Sequence, residues 1–251
     1  MSAIIVVVGP AGSGKSSIVA AYGKWLEENG YRVARVNLDP AAEYVPYQPT
    51  IDVRRWVTAR DVAVKYGLGP NGALIKAIEI VTQKLGEILE PLKGMDVDFV
   101  LIDTPGQMEV FVFRELSIEL FRYLKSFSDR VACIFVVDAS IVREATDYAF
   151  LSLLSIAYQL RFGVDTVIVL NKIDLAPDLD IVGDVVSDVD RVLKNLEMQG
   201  AYGEMLAEIL RVIQSYGKGM AVPRVSATQM TGFEDLHRIV HELTCSCGDL
   251  T

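Results

Sequence analysis

The chain has 251 residues, with 24 Lys and Arg against 33 Asp and Glu and a net charge of −9 at pH 7. Hydrophobic residues make up 51% and charged residues 23%, enough apolar material for a packed core and a poor composition for extended disorder. The negative charge argues against non-specific binding of nucleic acid or an anionic membrane, which needs surplus Lys and Arg.

No apolar run approaches the roughly 20 residues that cross a bilayer. A Gly-rich turn follows Val8 at once, unlike a signal peptide. Three Cys cannot all pair with one another, which suits a reducing, cytoplasmic setting.

Short β-branched runs alternate with stretches of helical period, predicting an α/β fold of three layers with a mostly parallel sheet. Strands are predicted over Ala3–Val8, Arg32–Asn37, Asp98–Ile102, Val131–Val137, Thr166–Leu170 and Ala221–Val225. Helices are predicted over Lys15–Glu28, Ile75–Leu89, Phe113–Ser126, Ile141–Phe162, Ile181–Leu196, Tyr202–Tyr216 and Glu234–Leu243. Between Pro40 and Gly94 no strand is predicted, and the stretch reads as a helical insertion, about 40–94, punctuated by Gly67-Leu68-Gly69-Pro70-Asn71-Gly72. A second helical excursion spans about 176–219. One domain over 1–251 with two elaborations is the expected organisation.

Gly9-Pro10-Ala11-Gly12-Ser13-Gly14-Lys15-Ser16 matches the phosphate-loop pattern G-x-x-x-x-G-K-[ST], after a predicted strand and before a predicted helix. The glycines let backbone N–H groups of Gly12, Ser13, Gly14, Ser16 and Ser17 turn inward as a nest of donors, and the helix N-terminus adds positive field. Lys15 can reach the β- and γ-phosphates and the Ser16 hydroxyl can ligate Mg²⁺. An acidic protein can hold a polyphosphate this way, because the positive field is local.

In open α/β sheets the ligand lies off the carboxyl ends of the strands. There the sequence offers Asp39, then Asp103-Thr104-Pro105-Gly106-Gln107, then Asp138, then Asn171-Lys172-Ile173-Asp174, then Ser226-Ala227. Asp103 stands where a carboxylate holds the Mg²⁺ shell, with a turn or helix cap as the plainer role. Gly106 can offer its N–H to a γ-phosphate, and Gln107 either orients water or is an exposed turn residue. Asn171-Lys172-Ile173-Asp174 matches [NT]-K-x-D. The Asp174 carboxylate can accept both the N1–H and the exocyclic amine of guanine, whereas adenine leaves it without those partners. Lys172 would lie over the base, Asn171 would brace the loops, and Ser226-Ala227 would offer a backbone N–H to guanine O6. Asp138 suits a helix cap.

These stations resemble the GTPases among phosphate-loop proteins. Gly69-Pro70-Asn71, Asp103-Thr104-Pro105-Gly106-Gln107-Met108-Glu109 and Asn37-Leu38-Asp39-Pro40-Ala41 narrow the resemblance to the GPN-loop GTPases, over Ile4 to about Leu243. The resemblance implies Mg²⁺-dependent hydrolysis of GTP to GDP by a homodimer whose Gly69-Pro70-Asn71 loop works in trans. It implies that Asn71 contacts the γ-phosphate or product phosphate of the neighbouring subunit, and that Asp39, Gln107 and Glu109 place or polarise the attacking water. Asp39 is also a candidate for the metal shell beside Ser16 and Asp103. The wider dimerising class often carries a second Lys near the start of the loop; here those positions are Pro10 and Ala11. Eukaryotic relatives assist RNA polymerase assembly, so the implied partner is a protein client. By the residues alone, Asn71 also suits a turn or helix cap.

Two other readings share the phosphate loop: a kinase acting on a small molecule, and a non-catalytic nucleotide-dependent scaffold. An ATPase of the dimerising class is a third. His237, His241, Cys245 and Cys247 match no common structural zinc spacing, and no metal site is expected there. Phe111, Phe113, Leu116, Leu120 and Phe121 suit either a dimer face or a helix packed on the sheet.

Overall fold

The computed structural model describes residues 2–107, 111–112, 114–142, 145–176, 189–198, 200–216 and 222–244. Six strands form one sheet: β1 (Ala3–Val8), β2 (Val33–Asn37), β3 (Ile51–Asp52), β4 (Phe99–Asp103), β5 (Val131–Asp138) and β6 (Thr166–Asn171). Their order is β3-β2-β4-β1-β5-β6, with every pairing parallel. The described helices are α1 (Lys15–Glu28), α2 (Ala59–Tyr66), α3 (Pro70–Gln83), α4 (Leu85–Leu89), α5 (Glu115–Lys125), α6 (Ala145–Phe162), α7 (Val189–Glu197), α8 (Ala201–Tyr216) and α9 (Phe233–Thr244). Among the described residues no helix is long and apolar enough to cross a membrane.

The layers follow from the two-residue period of a strand. In β1, Ile4, Val6 and Val8 enter a core with Leu74 and Ile78 of α3, Leu116 and Leu120 of α5, and Tyr158 of α6. Ala3, Ile5 and Val7 enter the opposite core with Ile18, Tyr22 and Leu26 of α1 and Leu236 and Val240 of α9. Helices cover both faces, so the central strand has no polar position. Phe111, Leu116, Leu120 and Phe121 belong to the first core, which settles their role as packing; Phe113 lies outside the described residues.

Register brings the functional strand ends to one edge. Val7 of β1 lies opposite Asp103 of β4, Asn37 of β2 opposite the same Asp103, and Asp138 of β5 opposite Asn171 of β6. Neighbouring β1 are β4 on one side and β5 on the other, so the loop after Val8 opens between their carboxyl ends. This is the crevice in which open α/β sheets bind ligands.

Three expectations need correction. The predicted strand Ala221–Val225 is reduced to an isolated bridge, Leu170 to Arg224. Leu170 N donates to Pro223 O at 2.9 Å and Val225 N to Leu170 O at 2.8 Å, but Pro223 has no N–H with which to continue the ladder. Ala221 lies outside the described residues.

The insertion, expected to lack strands, contains the two-residue β3, whose shortness and preceding Pro49 hid it. α3 begins at Pro70 rather than Ile75 because Pro70 takes the first helical position, where a missing N–H costs nothing. Gly69-Pro70-Asn71 is therefore a helix start, with Gly69 as N-cap and Ala73 N donating to Gly69 O at 2.9 Å. α2, which packs on α3, was not located in the sequence, although Thr58 caps it by accepting from Asp61 N and Gly67 ends it at φ 63°.

The insertion is fastened to β2 by a polar knot. Buried Asp52 accepts from Asn37 Nδ2 at 3.0 Å and, through both oxygens, from the Arg54 guanidinium, which also reaches the carbonyls of Ala42 and Glu43. Burial pushes the Asp52 pKa up, but the hydrogen bonds from Arg54 and Asn37, with the Arg54 charge, outweigh it and the net direction is down. Its ionised form thus contributes stability above the unfolded carboxylate pKa, about 4, lost as pH falls through the lower folded value. Asp52→Ala leaves Arg54 and Asn37 without their acceptor, and denaturant melts at pH 7 should show a loss of about 3 kcal/mol. The difference from wild type should shrink at acidic pH.

Candidate nucleotide site

The phosphate loop is shaped by residues without side chains. Gly9 has φ 149° and Gly14 φ 92°. A Cβ on Gly9 would sit 2.3 Å from Val136 O, and one on Gly14 2.3 Å from Asn171 Nδ2. The loop therefore lies flush against the ends of β5 and β6. α1 starts at Lys15 with no side-chain cap, which leaves the first-turn N–H groups, Ser16 and Ser17 among them, to face the crevice. Ser13 is buried, and among the described residues its Oγ has no hydrogen-bond partner.

Lys15 is 6% exposed, and its ammonium donates to the carbonyls of Gly9 and Pro10, both at 3.0 Å, and of Gly106 at 3.5 Å. Burial lowers its pKa, and the charges of Asp103 and Asp39 offset only part of that, so the net direction is down.

Asp103 is 1% exposed. Burial raises its carboxyl to about 6, against the lowering influence of the Ser16 and Tyr47 hydroxyls and the Lys15 charge. Its Oδ2 accepts from Tyr47 OH at 2.9 Å, and its Oδ1 is buried with no hydrogen-bond partner among the described residues. A desolvated carboxylate with the Ser16 hydroxyl beside it, and with Oδ1 outside any hydrogen bond among the described residues, fits Mg²⁺, a hard cation that takes oxygen ligands. Among the described residues no three His, Cys, Asp or Glu gather to hold a metal by themselves, so phosphate oxygens and water would complete the shell.

Asp39 is occupied differently from its expected place. Its Oδ1 accepts from Ala41 N at 2.8 Å and its Oδ2 from Gly106 N at 3.1 Å, while Asn37 Oδ1 accepts from Asp39 N. The Gly106 N–H expected to serve a γ-phosphate is thus donated to Asp39, and the Gly106 carbonyl is one of the acceptors of Lys15.

At the other flank, Asn171 joins two loops. Its Nδ2 donates to Ser13 O at 3.0 Å, and its Oδ1 accepts from Ala227 N at 3.2 Å. The Ala227 N–H expected to serve guanine O6 is engaged here. Lys172, in the left-handed region at φ 64°, donates to Gly12 O at 2.6 Å and pairs with Asp138 at 2.7 Å. Asp138 also caps the turn Ala139–Ile141 through Ser140 N.

Asp174 is exposed, with Ser226 Oγ donating to Oδ1 at 2.5 Å and Thr228 Oγ1 to Oδ2 at 3.2 Å. These bonds, the one from Ser226 foremost, hold its pKa below the usual carboxylate range, so it stays an acceptor. Tyr47, Thr228 and the Asn37–Asp52–Arg54 knot were not singled out in the sequence. Thr228, two residues beyond Ser226, was within reach of the spacing; Tyr47 lies 56 positions from Asp103 and only the fold joins them.

Asn71 and Gln107, both exposed, line one cavity of about 930 Å³, together with Arg54, Arg60 and Leu68. Glu109 lies outside the described residues, as do Cys245 and Cys247. His237 Nδ1 instead faces Tyr22 OH at 3.0 Å, and its ring packs among Trp25, Tyr31 and Phe99.

A Gly-shaped phosphate loop, a buried carboxylate on the next strand and an Asn-Lys-x-Asp turn beyond define a phosphate-loop protein of the GTPase class. A family model described as a conserved hypothetical ATP-binding protein matches residues 7–246. The GPN-loop GTPase PAB0955 of Pyrococcus abyssi (strain GE5 / Orsay) is 35% identical, over 99% of this chain and 100% of that protein. QQT1 of Arabidopsis thaliana, also a GPN-loop GTPase, is 31% identical over 84% of this chain and 74% of that one. The crystal structure of the Pyrococcus abyssi GTPase in apo form matches with a TM-score of 0.87 and 33% identity, over 97% and 98% of the two chains. The chain belongs to the GPN-loop GTPase family.

Proposed function

We propose that this chain, a single domain, hydrolyses GTP to GDP and phosphate in a Mg²⁺-dependent reaction and works in the cytoplasm as a homodimeric switch or assembly factor for a protein client. The observation that carries the choice of nucleotide is the Asp174 carboxylate, ionised and fixed by Ser226 and Thr228, facing outward on the loop that Asn171 ties to the phosphate loop. Its two oxygens match the adjacent donors of guanine. This favours GTP, although the family model is described as ATP-binding.

The loop N–H groups and Lys15 would bind the phosphates. Ser16 and Asp103, with Asp39 within reach, would hold Mg²⁺, which when bound neutralises charge on the phosphate oxygens. For the γ-phosphate to take the Gly106 N–H, Asp39 must release it, and the freed carboxylate is then available to orient water with Gln107 and Glu109. Release of inorganic phosphate without an added acceptor would support hydrolysis over a kinase. Single-turnover hydrolysis no faster than that of free GTP would favour a scaffold.

Asn71 at the exposed start of α3 brings an amide and a helix N-terminus, a combination suited to a phosphate. Exposed Tyr44, Val64, Tyr66 and Leu68 in the same insertion suit a surface covered by a second copy. Asn71→Ala should slow hydrolysis about tenfold or more with a much smaller change in GTP affinity; equal losses would place Asn71 in a ground-state contact.

The shared cavity of Asn71 and Gln107 favours a second reading, in which Asn71 serves its own chain. Mixed dimers of Lys15→Ala and Asn71→Ala chains separate the two. Recovered turnover supports the trans arrangement, because only there does an intact phosphate loop meet an intact Asn71.

A further inference from the structure

A metal shell needs the Asp103 carboxylate held in one orientation. Its side chain is 1% exposed, so bulk solvent does not set its orientation. Tyr47 OH donates to Oδ2 at 2.9 Å, while Oδ1 is buried and, among the described residues, without a hydrogen-bond partner. The Tyr47 donor on Oδ2 restrains the rotation of the carboxylate from one side, with the Ser16 hydroxyl on the other, and so presents Oδ1 toward the place where the Ser16 ligand would meet a cation.

Tyr47 is itself held. It is half-buried against the core on the α1 face, lies between Pro46 and Pro49, and is followed by a segment stitched to β2. Thr50 N donates to Arg35 O at 2.8 Å, Arg35 N to Thr50 Oγ1 at 3.1 Å, and β3 then pairs with Val36 and Asn37. The hydroxyl is therefore delivered from an anchored stretch of backbone.

We infer that Tyr47 is a positioning residue for the magnesium shell: its hydroxyl orients Asp103 so that Oδ1 serves the cation or its water, and it ties the root of the insertion to that carboxylate. Groups that orient metal-binding side chains in this way change metal affinity about 10–100-fold when removed. The inference rests on the Mg²⁺-dependent reading of the site. It adds a residue from the insertion, far in sequence from the motifs, whose effect passes through Asp103 and not through the nucleotide.

The test is the rate at which a fluorescent GDP leaves the full-length chain as free Mg²⁺ is varied. Tyr47→Phe keeps the ring and removes the donor. The Mg²⁺ concentration for half-maximal retention should rise about tenfold, with GDP affinity in EDTA unchanged. The rise in melting temperature produced by Mg²⁺ and GDP together should shrink, an increment readable even if the variant melts lower. An unchanged Mg²⁺ midpoint, or an equal loss of GDP affinity in EDTA, overturns the assignment and makes Tyr47 a packing residue. Wild-type release that ignores Mg²⁺ overturns the reading of the site itself, and with it the role of Tyr47.

Discussion

Lys15→Ala is expected to lower GTP affinity at least about 100-fold, measured by titration of a fluorescent analogue against the folded variant. The ammonium is enclosed by the carbonyls of Gly9, Pro10 and Gly106, which are acceptors like the phosphate oxygens themselves. Without the cation, a triphosphate would approach acceptors and the Asp103 and Asp39 carboxylates with only loop N–H groups to offset them. Hydrogen bonds with both partners charged are roughly twice as strong as neutral ones, and 1.4 kcal/mol is a factor of ten. Two lost contacts to phosphate thus account for the predicted size. Retained affinity would mean that the backbone nest alone holds the nucleotide.

Asp174→Asn is expected to cost GTP about 100-fold in affinity and to raise that of xanthosine triphosphate, read from competition against the same analogue. The carboxylate would accept two bonds from guanine, each worth about 1.5–3 kcal/mol because the acceptor is charged. An amide keeps one acceptor and turns a donor toward the exocyclic amine of guanine; toward the carbonyl of xanthine that donor is an advantage. Ser226 can still donate to the amide oxygen, so the loop is expected to stay in place. Unchanged selectivity would show that Asp174 does not read the base.

The α/β fold was legible wherever both faces of an element are covered. Ala3–Val8 and Lys15–Glu28 form over the predicted residues, because an apolar strand and an amphipathic helix meeting at a glycine turn leave the chain little choice. Places where one local signal competed with another were harder to read. Pro70 looked like a breaker but starts α3, since a missing N–H is harmless in a first turn. Val222 and Val225 looked like strand residues, but Pro223 between them limits the ladder.

In the candidate site, the strand-end residues could be found by their position after apolar runs, and the structure gathers them along one edge. The partners of those residues could not. Tyr47 on Asp103, Asn37 on Asp52 and Asp39 on Gly106 are contacts between segments that only the fold brings together.

Asn171 carries a consequence for redesign. Its one amide group touches both the loop that would grip phosphate and the loop that would frame the base, and its Nδ2 fills the space a side chain at Gly14 would need. The two halves of the pocket are therefore not modular at this point: a substitution here would blunt affinity for any nucleotide, whatever its base. Asp174, held by Ser226 and Thr228 and open to solvent, is the separable part, and a switch of cognate base is best engineered there with Asn171 left alone.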